Sequence, residues 1–198
     1  MPLSESTVSA VTTALAEASV TAEAQSLSRG TTLLRMGVPL AADAQTVWEH
    51  LTQPELLTRW SPVVPDRPLT TPGPAISRET PEAEPVDVRV IEAEPEHVLR
   101  HAWGEGEVLW EITAVPLDEA AAAEVGAASV LTVTQTFTRA ALVPMTAAGW
   151  HICLAVLSLL MEGRDVERVV GGDSAAVGWE ALRDAYERGF EEQSAAQS

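Results

Sequence analysis

The side chains best able to do chemistry in this sequence are few, and most stand too far apart to act together. His97 and His101 share one face of an alternating stretch but lie four residues apart, roughly 13 Å at the rise of a β-strand. They cannot chelate one ion, and no other cluster has metal-ligand spacing, so no metal and no cofactor is expected. His151 and Cys153, two positions apart on a helix, point roughly 200° away from each other and cannot pair as base and nucleophile. Cys153 reads as a small buried apolar residue. The chain contains no lysine, which removes Schiff-base chemistry. Nucleophile elbow, P-loop and dinucleotide fingerprint are all missing, and Gly171-Gly172-Asp173 is too short to cradle a phosphate.

What remains is His101 beside Trp103 on one strand face and Gln135 on another. If both faces point inward, they supply a few polar groups in an apolar pocket, suited to orienting a small hydrophobic ligand. The same residues also suit hydrogen-bonded polar positions in a core. No catalytic residue is assigned, and His101 is the one acid–base candidate. Carboxylates at Glu79, Glu82 and Glu84, and at Asp118, Glu119 and Glu124, read as solvated loops rather than inward groups.

The elements that would position these residues follow from periodicity. Leu34, Met36, Val38 and Leu40 alternate along a strand over 32–40. Asp43 is placed to cap a short helix carrying Val47, Trp48 and Leu51, and Pro54 opens a second with Leu56, Leu57 and Trp60. A Pro-rich loop covers 62–74. Strands are then expected over 75–79 and 86–90, 97–104 with Leu99, His101 and Trp103 on one face, 107–115 with Val108, Trp110 and Ile112, and 129–138 with Leu131, Val133, Gln135 and Phe137. Gly104-Glu105-Gly106 reads as a hairpin turn, and the acidic, Ala-rich 117–127 stretch as a solvated loop.

Pro144 and Gly163 bracket one long helix. Between Trp150 and Met161 it is apolar on nearly every face, so it should be buried on more than one side. Asp173 is the expected cap of a final helix with Trp179, Leu182 and Tyr186 on one face and an Asp184/Arg188 pair. That helix could cover the long one within a single chain or across a homodimer. Residues 1–28 read as an extension, flexible or weakly helical, before a main domain over 29–170 and a C-terminal helix and tail over 171–198. Strands joined without intervening helices exclude a parallel βαβ sheet.

Composition narrows the partners. A formal charge of −17, with all 12 basic residues Arg, disfavours nucleic acid and anionic membrane surfaces. The single cysteine, and an N-terminus lacking a basic region or an apolar core segment, point to a soluble cytoplasmic protein. The longest apolar run, 152–161, is about half of the ~20 residues a spanning helix needs.

Two segments then carry a resemblance. Val47-Trp48, Leu51-Thr52, Pro54, Leu57 and Trp60 are similar to the VW..LT.P..L..W pattern of one START-like, Bet v 1-like branch. Gly149-Trp150, Cys153-Leu154, Leu157, Leu160 and Gly163 resemble its GW..CL..L..L..G helix signature. That branch includes homologues of the ATPase activator of the ninety-kilodalton heat-shock chaperone. The strand 131–135 resembles its LTLTH segment, with Gln135 where His is common. The resemblance covers roughly 30–163 and implies an α+β helix-grip fold, a curved antiparallel sheet wrapped around the long helix. It implies a cavity between sheet and helix, to which Leu99, His101, Trp103, Trp110, Gln135 and Phe137 would contribute from the strands. Trp150, Leu154, Leu157 and Met161 would contribute from the helix. A small hydrophobic molecule or lipid is the expected occupant. A chaperone partner, or a cyclase- or hydrolase-type reaction in the same cavity, are the alternatives that the family's diversity leaves open.

Overall fold

The computed structural model describes all of the chain except residues 1, 18, 28–29, 81, 104–105, 116–127 and 197–198. The expected 117–127 loop and the tip of the 104–106 hairpin fall outside the described residues. The element order is α1 (Glu5–Glu17), β1 (Thr21–Ser26), β2 (Thr32–Leu40), α2 (Ala44–Thr52), α3 (Pro54–Leu57), β3 (Ile76–Ser77), β4 (Val86–Asp87), β5 (Val90–Glu94), β6 (Val98–Trp103), β7 (Gly106–Ala114), β8 (Ser129–Phe137), α4 (Val143–Met161) and α5 (Trp179–Ala196). Six strands form one antiparallel sheet in the order β1-β2-β8-β7-β6-β5, and β3 and β4 form a separate small ladder. This is the helix-grip arrangement, with α4 lying along the sheet.

Register builds a continuous apolar inner face. Met36 pairs with Val133 and Val133 with Trp110, while Trp110 pairs with Leu99. Because side chains alternate across a strand, these four rows all point toward α4. The opposite face carries Thr132, Thr134 and Thr136, with Arg35 bridging to Glu111 across it. From Trp150 to Leu157 every residue of α4 is buried. The sheet covers one side, and α1 and α5 cover the others. The 140–161 stretch is long and apolar enough to cross a membrane by composition, but most of it is enclosed by the fold. The helix ends as Pro144 and Gly163 suggested. Gly163 turns left-handed at φ +76, and the Gly163 and Arg164 N–H groups bond back to Leu160 and Leu159, closing the last carbonyls in a Schellman turn.

Several local expectations are corrected. The segment before Thr32 is not merely a weak helix. Ser4 caps α1 through the Thr7 N–H, Thr7, Ala10 and Val11 bury one face, and β1 then adds a strand beside β2. The free edge of β1 is closed by the Gln193 amide, which meets Ala24 N–H and Ala22 C=O at 3.4 and 3.3 Å. An unpaired strand edge is an aggregation template, and α5 shields this one. The expected 86–90 strand divides in two, because Asp87 accepts the Arg89 N–H and bends the chain there. The expected 75–79 strand shortens to Ile76–Ser77 and pairs with β4, outside the main sheet. Asp173 does not cap α5. Residues 171–177 form a 3-10 stretch, and the helix starts after Gly178, whose φ is +88. Asp184 binds Arg183 rather than Arg188.

Candidate functional site

The middle of the sheet–helix interface is filled by three indoles. Trp60 and Trp110 meet edge to face at 5.9 Å, and Trp110 and Trp150 at 5.1 Å, each such contact worth about 0.5–1.5 kcal/mol beyond area burial. Both inward polar residues serve these rings. Trp110 Nε1 donates to His101 Nε2 at 3.2 Å, which leaves the proton on Nδ1, and Nδ1 donates to the Ala102 carbonyl at 2.7 Å. Trp150 Nε1 donates to Gln135 Oε1 at 3.2 Å. Burial holds the His101 pKa below its ordinary value. With both nitrogens engaged, the imidazole is a neutral core acceptor with no atom left for substrate chemistry.

Open space lies beside this aromatic stack. A cleft of about 490 Å³ runs along the first half of α4, floored by Thr146, Gly149, Trp150 and Cys153. Pro62, Trp103, Val169, Val170, the 171–175 turn and Trp179 also line it. A second cleft of about 430 Å³ adjoins it, sharing Trp103 and Thr146, with Gln135, Phe137, Arg139 and Leu142 on its walls. Trp103 therefore stands between two spaces that meet at the N-terminal end of α4.

Gly149 keeps part of the first cleft open. It sits inside α4, where glycine costs roughly 0.5–1 kcal/mol relative to alanine, and a Cβ built on it meets nothing within 4 Å. The missing side chain relieves no crowding; it leaves room. Cys153, one turn further on, faces the same space. Its thiol pKa is pushed up to about 12, mainly by burial, with the Glu79 carboxylate adding to this and Arg168 opposing it. A protonated thiol of this kind is inert as a nucleophile.

Of the residues expected around the cavity, Trp103, Gln135, Phe137 and Trp150 line one or both clefts. His101 and Trp110 lie in the stack behind them, while Leu99, Leu154 and Leu157 are closed over by neighbours. Met161 is half-buried at the far end of α4 and borders neither cleft. Three contributors were not anticipated. Glu79 supplies the one carboxylate among the described lining residues, Trp179 a third indole, and Gly149 part of the floor. A glycine within an otherwise strong helical pattern was the available signal for the last. His151, on the outer side of α4, meets Tyr186 Oη of α5 at 2.8 Å through Nδ1, and its Nε2 has no partner. It takes no part in the clefts. Among the described residues no group of three metal-ligating side chains converges.

The family described as Activator of Hsp90 ATPase homolog 1-like protein matches residues 41–162. No curated protein sequence matches the chain. Among solved structures, a conserved protein of unknown function, EF2215 from Enterococcus faecalis, superposes with a TM-score of 0.62 at 14% identity, covering 94% of this chain and 98% of its own. CalU16 from Micromonospora echinospora, in solution, gives 0.65 at 14% identity over 91% and 97%. MLL2253 from Mesorhizobium loti gives 0.55 at 17% over 68% and 99%. At these identities the likeness is one of fold.

Proposed function

This chain belongs to the Activator of Hsp90 ATPase homolog 1-like family within the START-like superfamily, and from that premise we propose that it binds a small apolar molecule in the Gly149 cleft. The observation that carries the reading is the pairing of a mid-helix glycine that fills no packing need with an apolar space of about 490 Å³ above it. That size lies within the roughly 300–1,000 Å³ of small-molecule sites, and an apolar wall with few polar groups is their usual character. Thr146 and Glu79 would orient the guest, and three indoles would cover its faces.

The acid–base alternative loses its candidate, because His101 is occupied at both nitrogens. A protein-docking reading would want a contiguous exposed apolar patch. Among the described residues the exposed large apolar side chains are Leu27, Ile76, Ile91 and Met145, four residues from four segments of the chain. The test is saturable binding of a neutral fluorescent probe such as pyrenemethanol, repeated with Gly149→Leu, which places a side chain in the cleft. Binding lost in the variant supports the reading; equal binding by both proteins, or none by the wild type, contradicts it.

A further inference from the structure

The chemistry of the cleft wall selects among apolar guests. Among the described residues Glu79 is the only charged side chain in the lining of the Gly149 cleft. Its carboxylate has neither an ion pair nor a hydrogen bond among the described residues. Arg168 is engaged by backbone instead, binding the Ser61 and Glu79 carbonyls at 3.1 and 2.8 Å. One carboxylate oxygen lies close enough to Gly171 that a Cβ there would stand 3.5 Å from it, which puts the charge beside the 171–175 turn. Three indoles, Trp103, Trp150 and Trp179, share that space. Indole faces attract cations, and Trp179 already holds one, with the Arg183 guanidinium 5.3 Å from its ring centroid. Among the described residues no Arg lines the cleft; Arg168 beside it is held by the Ser61 and Glu79 carbonyls and Arg183 by Asp184, so an anionic head group would meet Glu79 with no free cation in the lining.

We propose that the cleft's guest is an organic cation, a protonated or quaternary amine on a flat apolar body, with its nitrogen at Glu79 and its body among the indoles. This rests on the small-molecule reading above and narrows it to one charge class. Fatty acids and other apolar carboxylates are disfavoured by the same geometry, since their head group would meet a like charge.

Three probes sharing one ring system separate the two claims: pyrenemethylamine, pyrenemethanol and pyrenecarboxylate, titrated by fluorescence at neutral pH. The amine should bind tightest and the carboxylate weakest. Glu79→Gln should weaken the amine by roughly three- to tenfold, as expected of a partly exposed charge contact, and weaken pyrenemethanol by a smaller factor. Because the whole chain carries −17, a second carboxylate variant is the control. Glu192 stands thirteen residues beyond Trp179 on α5, roughly 20 Å along the helix, and Glu192→Gln should leave all three affinities as they were. Equal or tighter binding of the carboxylate, or equal losses in both Gln variants, overturns the cation inference while leaving a neutral guest standing. Binding of none of the three overturns the small-molecule reading itself.

Discussion

Trp150 on the long helix donates its indole proton to Gln135 Oε1 on the central strand β8 at 3.2 Å, tying helix to sheet through a bond shielded from water. Gln135 is 8% exposed and Trp150 4%, so neither group has ready solvent as a substitute. Replacing Gln135 with Leu should destabilise the fold by about 1–3 kcal/mol, the cost of leaving a buried donor unmade. Trp150→Phe removes the donor, and in the double variant the two costs should add to less than their sum. Urea denaturation of the four proteins checks this; strict additivity would mean that the bond carries no coupling.

Gly149→Ala should stabilise the protein by about 0.5–1 kcal/mol, because the new methyl enters open space while the unfolded chain loses freedom. Chemical denaturation of the unliganded protein gives the sign. A destabilised variant would mean that the space above Gly149 is occupied or needed.

Acid should weaken the α4–α5 contact. Burial lowers the His151 pKa from 6.5 to about 4, and Nε2 has no partner to welcome a proton. Between those values the unfolded chain binds more protons than the folded one, so stability is complete above pH 6.5 and falls as pH drops through the window. A shift of that size corresponds to roughly 3 kcal/mol at most. His101, also held below its ordinary value by burial, adds in the same direction. Urea midpoints measured from pH 7 down to pH 4.5 should therefore fall less steeply in His151→Leu than in the wild type. Parallel slopes would show that His151 is already charged or exposed.

Cys153 should resist alkylation in the native state, since its thiol is buried and its pKa is pushed up to about 12. Glu79→Gln removes one cause of that rise and should quicken the reaction slightly. Iodoacetamide labelling followed by mass spectrometry reads both rates. A native rate equal to that in urea would place the thiol in solvent.

The sheet and its grip were legible because inward positions announce themselves by alternation. Leu131, Val133, Gln135 and Phe137 read as one face, and all four are buried. The strand β1 was not legible, because Thr21–Ser26 holds no aromatic residue and alternates only through the small Ala22 and Ala24. Its place is fixed by β2 beside it and by the Gln193 amide on its free edge. Within the expected cavity, residue types identified inward groups but could not say which of them fill space and which border it. Trp110 and Trp150 occupy each other's flank, so the interior beside His101 closes. The open space moved to the side of the helix bearing Gly149, where residues from 169–179 and Glu79 complete the lining. Residues 169–179 are remote in sequence from the main-sheet strands, Glu79 lies just past β3, and no periodicity links the two.

The most direct measurement uses the six tryptophans as reporters. Their indole N–H resonances, assigned by single substitution, can be followed while pyrenemethanol is titrated into the full-length protein. The account expects saturable shifts at Trp103, Trp150 and Trp179, which line the cleft, with Trp48 and Trp60 unmoved. Shifts spread evenly over all six, or confined to Trp48 and Trp60, would contradict a guest bound over Gly149.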